Sequence, residues 1–404
     1  MSGTLLDQIA EIEKEMARTQ KNKATEYHIG RLKAKLAKLR TTLLEGPAKS
    51  GSEGVGFDVA KAGHARVALV GFPSVGKSTL LTKLTGTESI AASYEFTTLT
   101  CIPGNLFHKG CKIQVLDLPG IIDGASQGKG RGRQVIGVAK SADLVLMVLD
   151  AAKELEKNHR KILEDELEAV GLRLNKRPPS IYLKQHKTGG IKFSSMVPLT
   201  KLGDDPDKAV DAILREYKMH NCECLFREDC SVDDLIDVIE GNRKYISVLY
   251  VWNKIDTVSV EDVDRLARQP HSVVCASGGG SGAGLNMDRL IDKIWHYLSL
   301  TRVYTMKKGE DPDFSEPVVM TAGRHGTTVE SLCDSLHRSL KQDHKYSIVW
   351  GTSPKHSPQH VGLSHVLHDE DVVRIVKKTN TEQKAEKGYA ARVQGEWGGG
   401  GGGG

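Results

Sequence analysis

Apolar residues recur first at helical spacing and then at strand spacing along this chain. Leu5, Ile9, Ile12 and Met16 fall at intervals of four, three and four residues, as do Leu32, Leu36, Leu39 and Leu43. Each set lines one face of a helix, so residues 1–46 are predicted as two helices packed as an antiparallel hairpin. Residues 47–63 are rich in Gly and Ser and read as a linker. Short apolar runs then alternate with helical stretches over 64–164 and again over 243–301. Arg66–Val70, Ile113–Leu118, Leu144–Leu149, Tyr250–Asn253 and Val273–Cys275 are the strand candidates. Leu144–Leu149 is apolar at every position, as a strand covered on both faces must be. The alternation predicts an α/β fold with a doubly wound parallel sheet.

Residues 165–242 interrupt that alternation and read as an inserted subdomain, with Pro178-Pro179, a Gly189-Gly190 turn and a helical patch at Val232–Ile239. Residues 302–378 form a small α+β module: strand Val318–Thr321, a helix carrying Val329, Leu332, Leu336 and Leu340, and strands Ser347–Trp350 and Val372–Val376. Residues 379–404 are polar, end in seven glycines and cannot bury a core, so they are predicted as a disordered tail.

At 404 residues, 39% hydrophobic and 26% charged, the chain is of globular composition, which excludes disorder of the whole. No apolar run approaches the ~18 residues of a membrane span, and the N-terminus lacks the pattern of a secretory signal, so the expected address is the cytosol. A net charge of +5 permits a nucleic-acid partner without demanding one. The second helix carries Arg31, Lys33, Lys35, Lys38 and Arg40 with no acid among them, either a solvated face or one turned to RNA or a partner. Seven cysteines without a CxxC pair do not make a disulfide scaffold. His220, Cys222, Cys224 and Cys230 lie within eleven residues, but Cys-x-Cys spacing is poor for structural zinc, and buried thiols are the preferred reading.

The chemistry concentrates in four segments. Gly71, Phe72, Pro73, Ser74, Val75, Gly76, Lys77 and Ser78, with Thr79 following, match G-x-x-x-x-G-K-[ST] between a strand and a helix. Glycines there let backbone N–H groups face phosphates, and the helix N-terminus adds positive charge. Lys77 is placed for the β- and γ-phosphates and the Ser78 hydroxyl for Mg²⁺. Asp117 and Gly120 end a strand, the first suited to the Mg²⁺ shell and the second to a γ-phosphate contact. Upstream, Phe96-Thr97-Thr98 offers a threonine hydroxyl, Thr98 being favoured, that ligates Mg²⁺ only when the γ-phosphate is present.

Asn253-Lys254-Ile255-Asp256 follows a strand. A carboxylate at Asp256 can accept from N1–H and the 2-amino group of guanine, and adenine has neither donor. Lys254 can lie along the base, and Asn253 can tie its loop to the phosphate loop. Backbone N–H groups of Cys275-Ala276-Ser277 are the expected donors to guanine O6.

The set GFPSVGKS, YEFTT, DLPGIIDGA and NKID resembles the Obg-related GTPases, most closely the developmentally regulated GTP-binding protein family. The likeness spans about residues 1–378. It implies a P-loop GTPase domain, an N-terminal helical hairpin, an inserted S5D2-like unit and a C-terminal TGS domain of β-grasp type. It also implies GTP as substrate, Mg²⁺ as cofactor, ribosomes and RNA as partners, and a stabilising regulatory protein bound to the chain. The family's phosphate and Mg²⁺ roles fall on Lys77, Ser78 and Thr98, and its guanine-reading role on Asp256. The sequence departs from the family pattern in three places. Ser-Ala is replaced by Ala276-Ser277, Gly278–Gly284 is an insertion, and the poly-Gly tail lies outside the likeness.

The position that often holds a water-orienting glutamine is Ile121, which has no polar group, so slow intrinsic turnover is expected. The missing charge has three candidate sources: a partner's residue, an ordered switch backbone, or K⁺ beside Ser74. The glycine-rich stretch Ile121–Gln134 adds Lys129, Arg131 and Arg133, which read as an internal finger, as RNA contacts or simply as solubilising charges. The rival reading is an adaptor for RNA or ribosomes that holds GTP as a structural ligand.

Overall fold

The computed structural model describes residues 5–20, 25–45, 63–86, 102–118, 138–153, 158–203, 205–278, 284–321 and 326–379. They divide into two compact units. One takes in residues up to 61 with 66–104 and 115–290; the other takes 62–65, 105–114 and residues from 291 onward.

The elements follow in chain order. Helices α1 (Leu5–Arg18) and α2 (Glu26–Glu45) come first. Strand β1 (Ala65–Val70), helix α3 (Lys77–Thr85) and strands β2 (Ile102–His108), β3 (Cys111–Asp117) and β4 (Leu144–Asp150) follow. Next are α4 (His159–Ala169), β5 (Leu172–Leu174), β6 (Ile181–Gln185), β7 (Ile191–Ser195), α5 (Pro206–Glu216), β8 (Cys222–Phe226) and α6 (Val232–Glu240). The chain returns through β9 (Lys244–Asn253), α7 (Val260–Ala267), β10 (Ser272–Val274) and α8 (Met287–Leu298).

The main sheet has the order β10-β9-β4-β1-β3-β2, with β5 beside the first half of β9. Strands β1, β4, β9, β10 and β5 pair in parallel, and β1 and β4 are buried at every position. Strand β2 was not legible in the sequence. A two-residue turn, Lys109-Gly110 with φ of 48° and 75°, joins it to β3, so this edge pair runs antiparallel. Helix α4 lays Leu163 and Leu167 into the sheet core beside Leu172, Tyr250 and Trp252. Both α4 and β5 thus belong to the main sheet although they fall inside 165–242 or straddle its start; the separate subdomain begins after Leu174.

That subdomain is a three-stranded sheet, β6-β8-β7, covered on one face by α5 and α6. On β8 the alternation points Cys222, Cys224 and Phe226 inward. The thiols of Cys222, Cys224 and Cys230 pack among Val210, Ile213, Leu235 and Ile236. Burial pushes the Cys224 thiol up to about 12, so it is an apolar packing group rather than a thiolate ligand, and His220 is exposed.

The basic helix α2 is occupied on two sides. Arg40 pairs with Glu13 of α1 at 2.7 Å. A second stripe, Gly30, Ala34, Ala37 and Thr41, packs on the subdomain: Ala34 is fully buried in its core, and a Cβ at Gly30 would touch Val232 at 3.6 Å. Arg31 pairs with Glu216 at 3.2 Å, Lys33 with Asp233 at 2.6 Å, and Lys38 sits 5.9 Å from the Tyr217 ring centre. These side chains meet partners in the same chain, and Arg31 and Lys38 stay exposed, so the solvated face is the reading that holds for them.

In the second unit, β11 (Leu300–Thr305), β12 (Val318–Thr321), helices α9 (Val329–Leu336) and α10 (Arg338–Asp343), and β13 (His344–Trp350), β14 (Gln359–Val361) and β15 (Asp371–Lys377) form a five-stranded sheet of order β12-β11-β15-β13-β14. Val329 and Leu332 of α9 close its core with Val303, Val349 and Val373. The single helix expected over 329–340 is two, because His337 is extended (φ −168°, ψ 136°) and caps the second through its ring. Asp371, fully buried, accepts from the Thr352 and His368 N–H groups at 3.0 and 2.8 Å and so pins two loops. His344 is bonded to Ser347 and His360 is stacked on Tyr346, as structural rather than catalytic histidines.

Candidate nucleotide site

The carboxyl ends of β1, β4 and β9 bring the chemistry to one edge of the sheet, where ligands of such sheets bind. The chain leaves β1 at Gly71, where a Cβ would stand 2.4 Å from the Val148 carbonyl oxygen, so only glycine passes. Ser74 and Gly76 both have positive φ, 65° and 93°, and the turn opens directly into α3 at Lys77. This shape aims the free N–H groups of the first helical turn into the loop. The Lys77 ammonium is held inside the loop by the carbonyls of Gly71 (3.0 Å) and Phe72 (2.9 Å). Burial lowers its pKa, against the attraction of Asp117.

At the foot of α3 the Ser78 hydroxyl donates to Asp117 Oδ2 at 2.6 Å. The other oxygen, Oδ1, is buried and has no hydrogen-bond partner among the described residues. Burial raises the pKa of this carboxyl, while the Ser78 bond and Lys77 pull it down. A buried carboxylate oxygen without a donor beside a hydroxyl is a hard-oxygen donor set of the kind Mg²⁺ takes. The residues therefore fit the ion expected from the sequence.

On the base side Asn253 is fully buried. Its amide donates to the Val75 carbonyl at 2.8 Å and to the Ser277 hydroxyl at 2.9 Å, and its oxygen accepts from the Ser277 N–H at 2.9 Å. The serine displaced by one position still braces this loop. Lys254, with φ of 62°, reaches back to the Ser74 carbonyl at 2.8 Å and pairs with Asp150 at 2.9 Å. Asp256 follows in a short 3-10 turn, Ile255–Thr257, and is exposed.

One expectation needs correction. The N–H of Cys275 goes to the Trp252 carbonyl at 2.8 Å, that of Ala276 to the Leu285 carbonyl at 3.2 Å, and that of Ser277 to Asn253. None of the three is open to guanine O6; a base taking the Ser277 N–H must displace Asn253 Oδ1.

Sequence reasoning missed two residues. Asp150 ends the buried strand β4 opposite Asn253 in register, and burial raises its pKa while the stronger combined pull of Lys254 and nearby N–H groups leaves it below the ordinary value. His159, opening α4, packs its ring 4.7 Å from that of Phe72 in the phosphate loop. Pro73, Ser74, Ser78 and Thr79 are exposed along the loop and first helical turn. Thr98 and Gly120 lie outside the described residues, as do Phe96, Thr97, Ile121, Lys129, Arg131 and Arg133.

Strand, phosphate loop, helix and an Asn-Lys-x-Asp loop at one sheet edge define a P-loop GTPase. In agreement, residues 66–185 match the family described as 50S ribosome-binding GTPase, 188–300 its C-terminal region, and 301–377 the TGS domain. The chain is 63% identical to Developmentally-regulated G-protein 2 of Arabidopsis thaliana over 94% of its own length and 93% of that protein's. It is 59% identical to Developmentally-regulated GTP-binding protein 2 of Homo sapiens over 93% of its own length and all of the relative's. The chain belongs to the developmentally regulated GTP-binding protein family. Among solved structures, the YchF GTPase of Schizosaccharomyces pombe aligns over 78% of this chain and 98% of that one, at 11% identity and a TM-score of 0.42.

Proposed function

We propose that the chain hydrolyses GTP to GDP and phosphate in a Mg²⁺-dependent cycle, and that the two nucleotide states act as a switch on ribosomes during translation in the cytosol. The observation that carries the first half is the Ser78–Asp117 pair, whose Oδ1 has no donor among the described residues, set under a phosphate loop that already holds Lys77 inside it. Lys77 supplies positive charge where the β- and γ-phosphates would sit. Asp256 selects the base, and Asn253 and Lys254 hold the base loop and the phosphate loop in one frame. Bound Mg²⁺, held by Ser78 and Asp117 and by Thr98 in the GTP state, would neutralise charge that develops on the phosphate oxygens. Thr98 and the Gly120 N–H are the groups assigned to sensing the γ-phosphate.

The ribosome assignment draws on the printed description of the matched family, 50S ribosome-binding GTPase. A regulatory protein of the same system is the proposed bound partner, RNA a further one, and K⁺ or that partner the proposed stimulant of slow turnover. Ile121 favours one rival, an adaptor that holds GTP and rarely cleaves it.

Multiple-turnover GTPase assays with and without ribosomes, in K⁺ and in Na⁺ buffer, separate these readings. Turnover raised by ribosomes supports the switch, and turnover absent under every condition supports the adaptor. Equal rates in K⁺ and Na⁺ remove the cation. Unchanged rates in an Arg131→Ala, Arg133→Ala double variant remove those two side chains as fingers. Co-sedimentation with ribosomes tests the gate: pelleting must favour a non-hydrolysable GTP analogue over GDP.

A further inference from the structure

In the second unit the strands β11 and β15 run parallel, but they are unequal in reach. Their pairing ends at Thr305 opposite Val373, with a last bond from the Met306 N–H to the Val373 carbonyl. Strand β15 continues for four more residues, Arg374 to Lys377, still paired with β13 on its other side. Beyond Val373, on the β11 side, no described strand lies beside it. Since Val373 turns its carbonyl to that side, the period of two turns Ile375 and Lys377 the same way. Their backbone groups there make an open ladder edge, and such an edge is a template for another strand.

The space beside this edge is a groove of about 410 Å³. Thr305 to Lys308 form one wall, Val373 to Lys377 the other, and Leu336 at the end of α9 closes it. Leu336 is 41% exposed, an unusual outlay of apolar surface at a helix end. Ile375 lies half-buried on the same side as α9. The rim is basic: Lys307, Lys308, Arg374 and Lys377. Lys307 has Glu310 at 3.7 Å. Among the described residues no carboxylate pairs with Lys308, Arg374 or Lys377.

We propose that this groove takes an extended acidic peptide from a partner protein as an added strand along Ile375–Lys377. The open ladder supplies backbone hydrogen bonds, which set the extended conformation. Side chains on one face of the peptide meet Leu336 and Ile375 and are apolar. Those on the other face lie by Arg374 and are acidic. The chain's own segment 380–404 is the wrong occupant, because its three bases balance its three acids and it brings no net charge to four cations. RNA would satisfy the cations but would leave the open N–H and C=O ladder and Leu336 unused.

The test uses the full chain and a fluorescent heptapeptide alternating glutamate with valine. Anisotropy is expected to show saturable binding that weakens at least tenfold in a Lys308→Glu, Arg374→Glu double variant, whose GDP affinity stays that of the parent. Hydrogen exchange is expected to slow at Ile375 and Lys377, and the same peptide with alternate amides N-methylated is expected not to bind. The proposal is overturned by any of three results: no saturable binding at millimolar peptide, binding that leaves those two amides unprotected, or oligo(U) RNA displacing the peptide and itself protecting the edge.

Discussion

Replacing Asn253 by Ala removes three hydrogen bonds from a fully buried position: to the Val75 carbonyl at 2.8 Å, to the Ser277 hydroxyl at 2.9 Å and from the Ser277 N–H at 2.9 Å. A bond lost outright costs about 1 kcal/mol net, and one whose partner stays buried and unpaired costs about 1–3 kcal/mol. Alanine offers nothing to the Ser277 N–H or the Val75 carbonyl, so with the Ser277 hydroxyl bond the loss is about 3–7 kcal/mol. At about 1.4 kcal/mol per decade, that is roughly a hundredfold to a hundred-thousandfold in the closed-to-open ratio of the two loops. Hydrogen exchange of the nucleotide-free protein reads it directly, because the Ser277 amide is protected by Asn253 itself. Exchange at Ser277 should accelerate by that factor, and GDP affinity should fall with it, since the base loop then no longer travels with the phosphate loop. If exchange at Ser277 changes less than tenfold and GDP affinity is unaltered, these bonds do not join the loops and the account of the site's frame is wrong.

Three further outcomes are expected. Asp237, buried in α6, receives two bonds from Arg173, with Nη2 at 2.7 Å from Oδ1, and has Arg243 at 3.4 Å. Asp237→Asn leaves a buried cation uncompensated, and the urea midpoint should fall by an amount equivalent to about 3–5 kcal/mol; an unchanged midpoint would show that the cluster contributes nothing. For Asp117, burial raises the folded pKa above the unfolded one. The neutral form therefore favours the nucleotide-free fold, and this stability is present below the unfolded pKa and lost as pH rises through the folded pKa. Asp117→Asn should accordingly melt higher than the parent at pH 7 without nucleotide, yet bind GTP with a weakened Mg²⁺ dependence; a lower melting temperature contradicts the cost assigned to burying this carboxylate. Asp256→Asn should lose affinity for GTP and gain it for xanthosine triphosphate, measured by competition against labelled GDP, and retained GTP affinity would remove Asp256 as the base reader.

The parts of the site legible in the sequence are those built from contiguous residues. Gly71 to Ser78 needs only its own backbone to make a phosphate cradle, and Asp256 needs only its neighbours to be presented on a turn. Asp150 was hidden because its role depends on register: it meets Lys254 only once β4 and β9 align Asp150 with Asn253. The donors expected at Cys275, Ala276 and Ser277 failed for the same reason, their N–H groups being taken by strands and side chains distant in sequence. In the fold, β4 is marked by an unbroken apolar run and β1 by one interrupted only at Arg66, whereas β6 to β8 alternate with lysine and cysteine and carry a weaker signal. The stripe Gly30, Ala34, Ala37, Thr41 escaped notice because small residues register as neither polar nor apolar, although they permit the closest approach of helices. Leu340 kept helical phase across the break at His337, so periodicity alone joined two helices into one.

The seat of α2 on α5 and α6 has a consequence for synthesis. The helix is complete at Glu45, but the surface that receives Ala34 is finished only at Glu240. At a translation rate of about 5–20 residues per second, this interval lasts roughly 10–40 s. Throughout it the small-residue stripe has no mate and must be shielded or must wait. A nascent chain stalled before residue 206 should therefore display a sticky N-terminal hairpin to chaperones, and a fragment cut to residues 175–242 would be missing a wall of its own core.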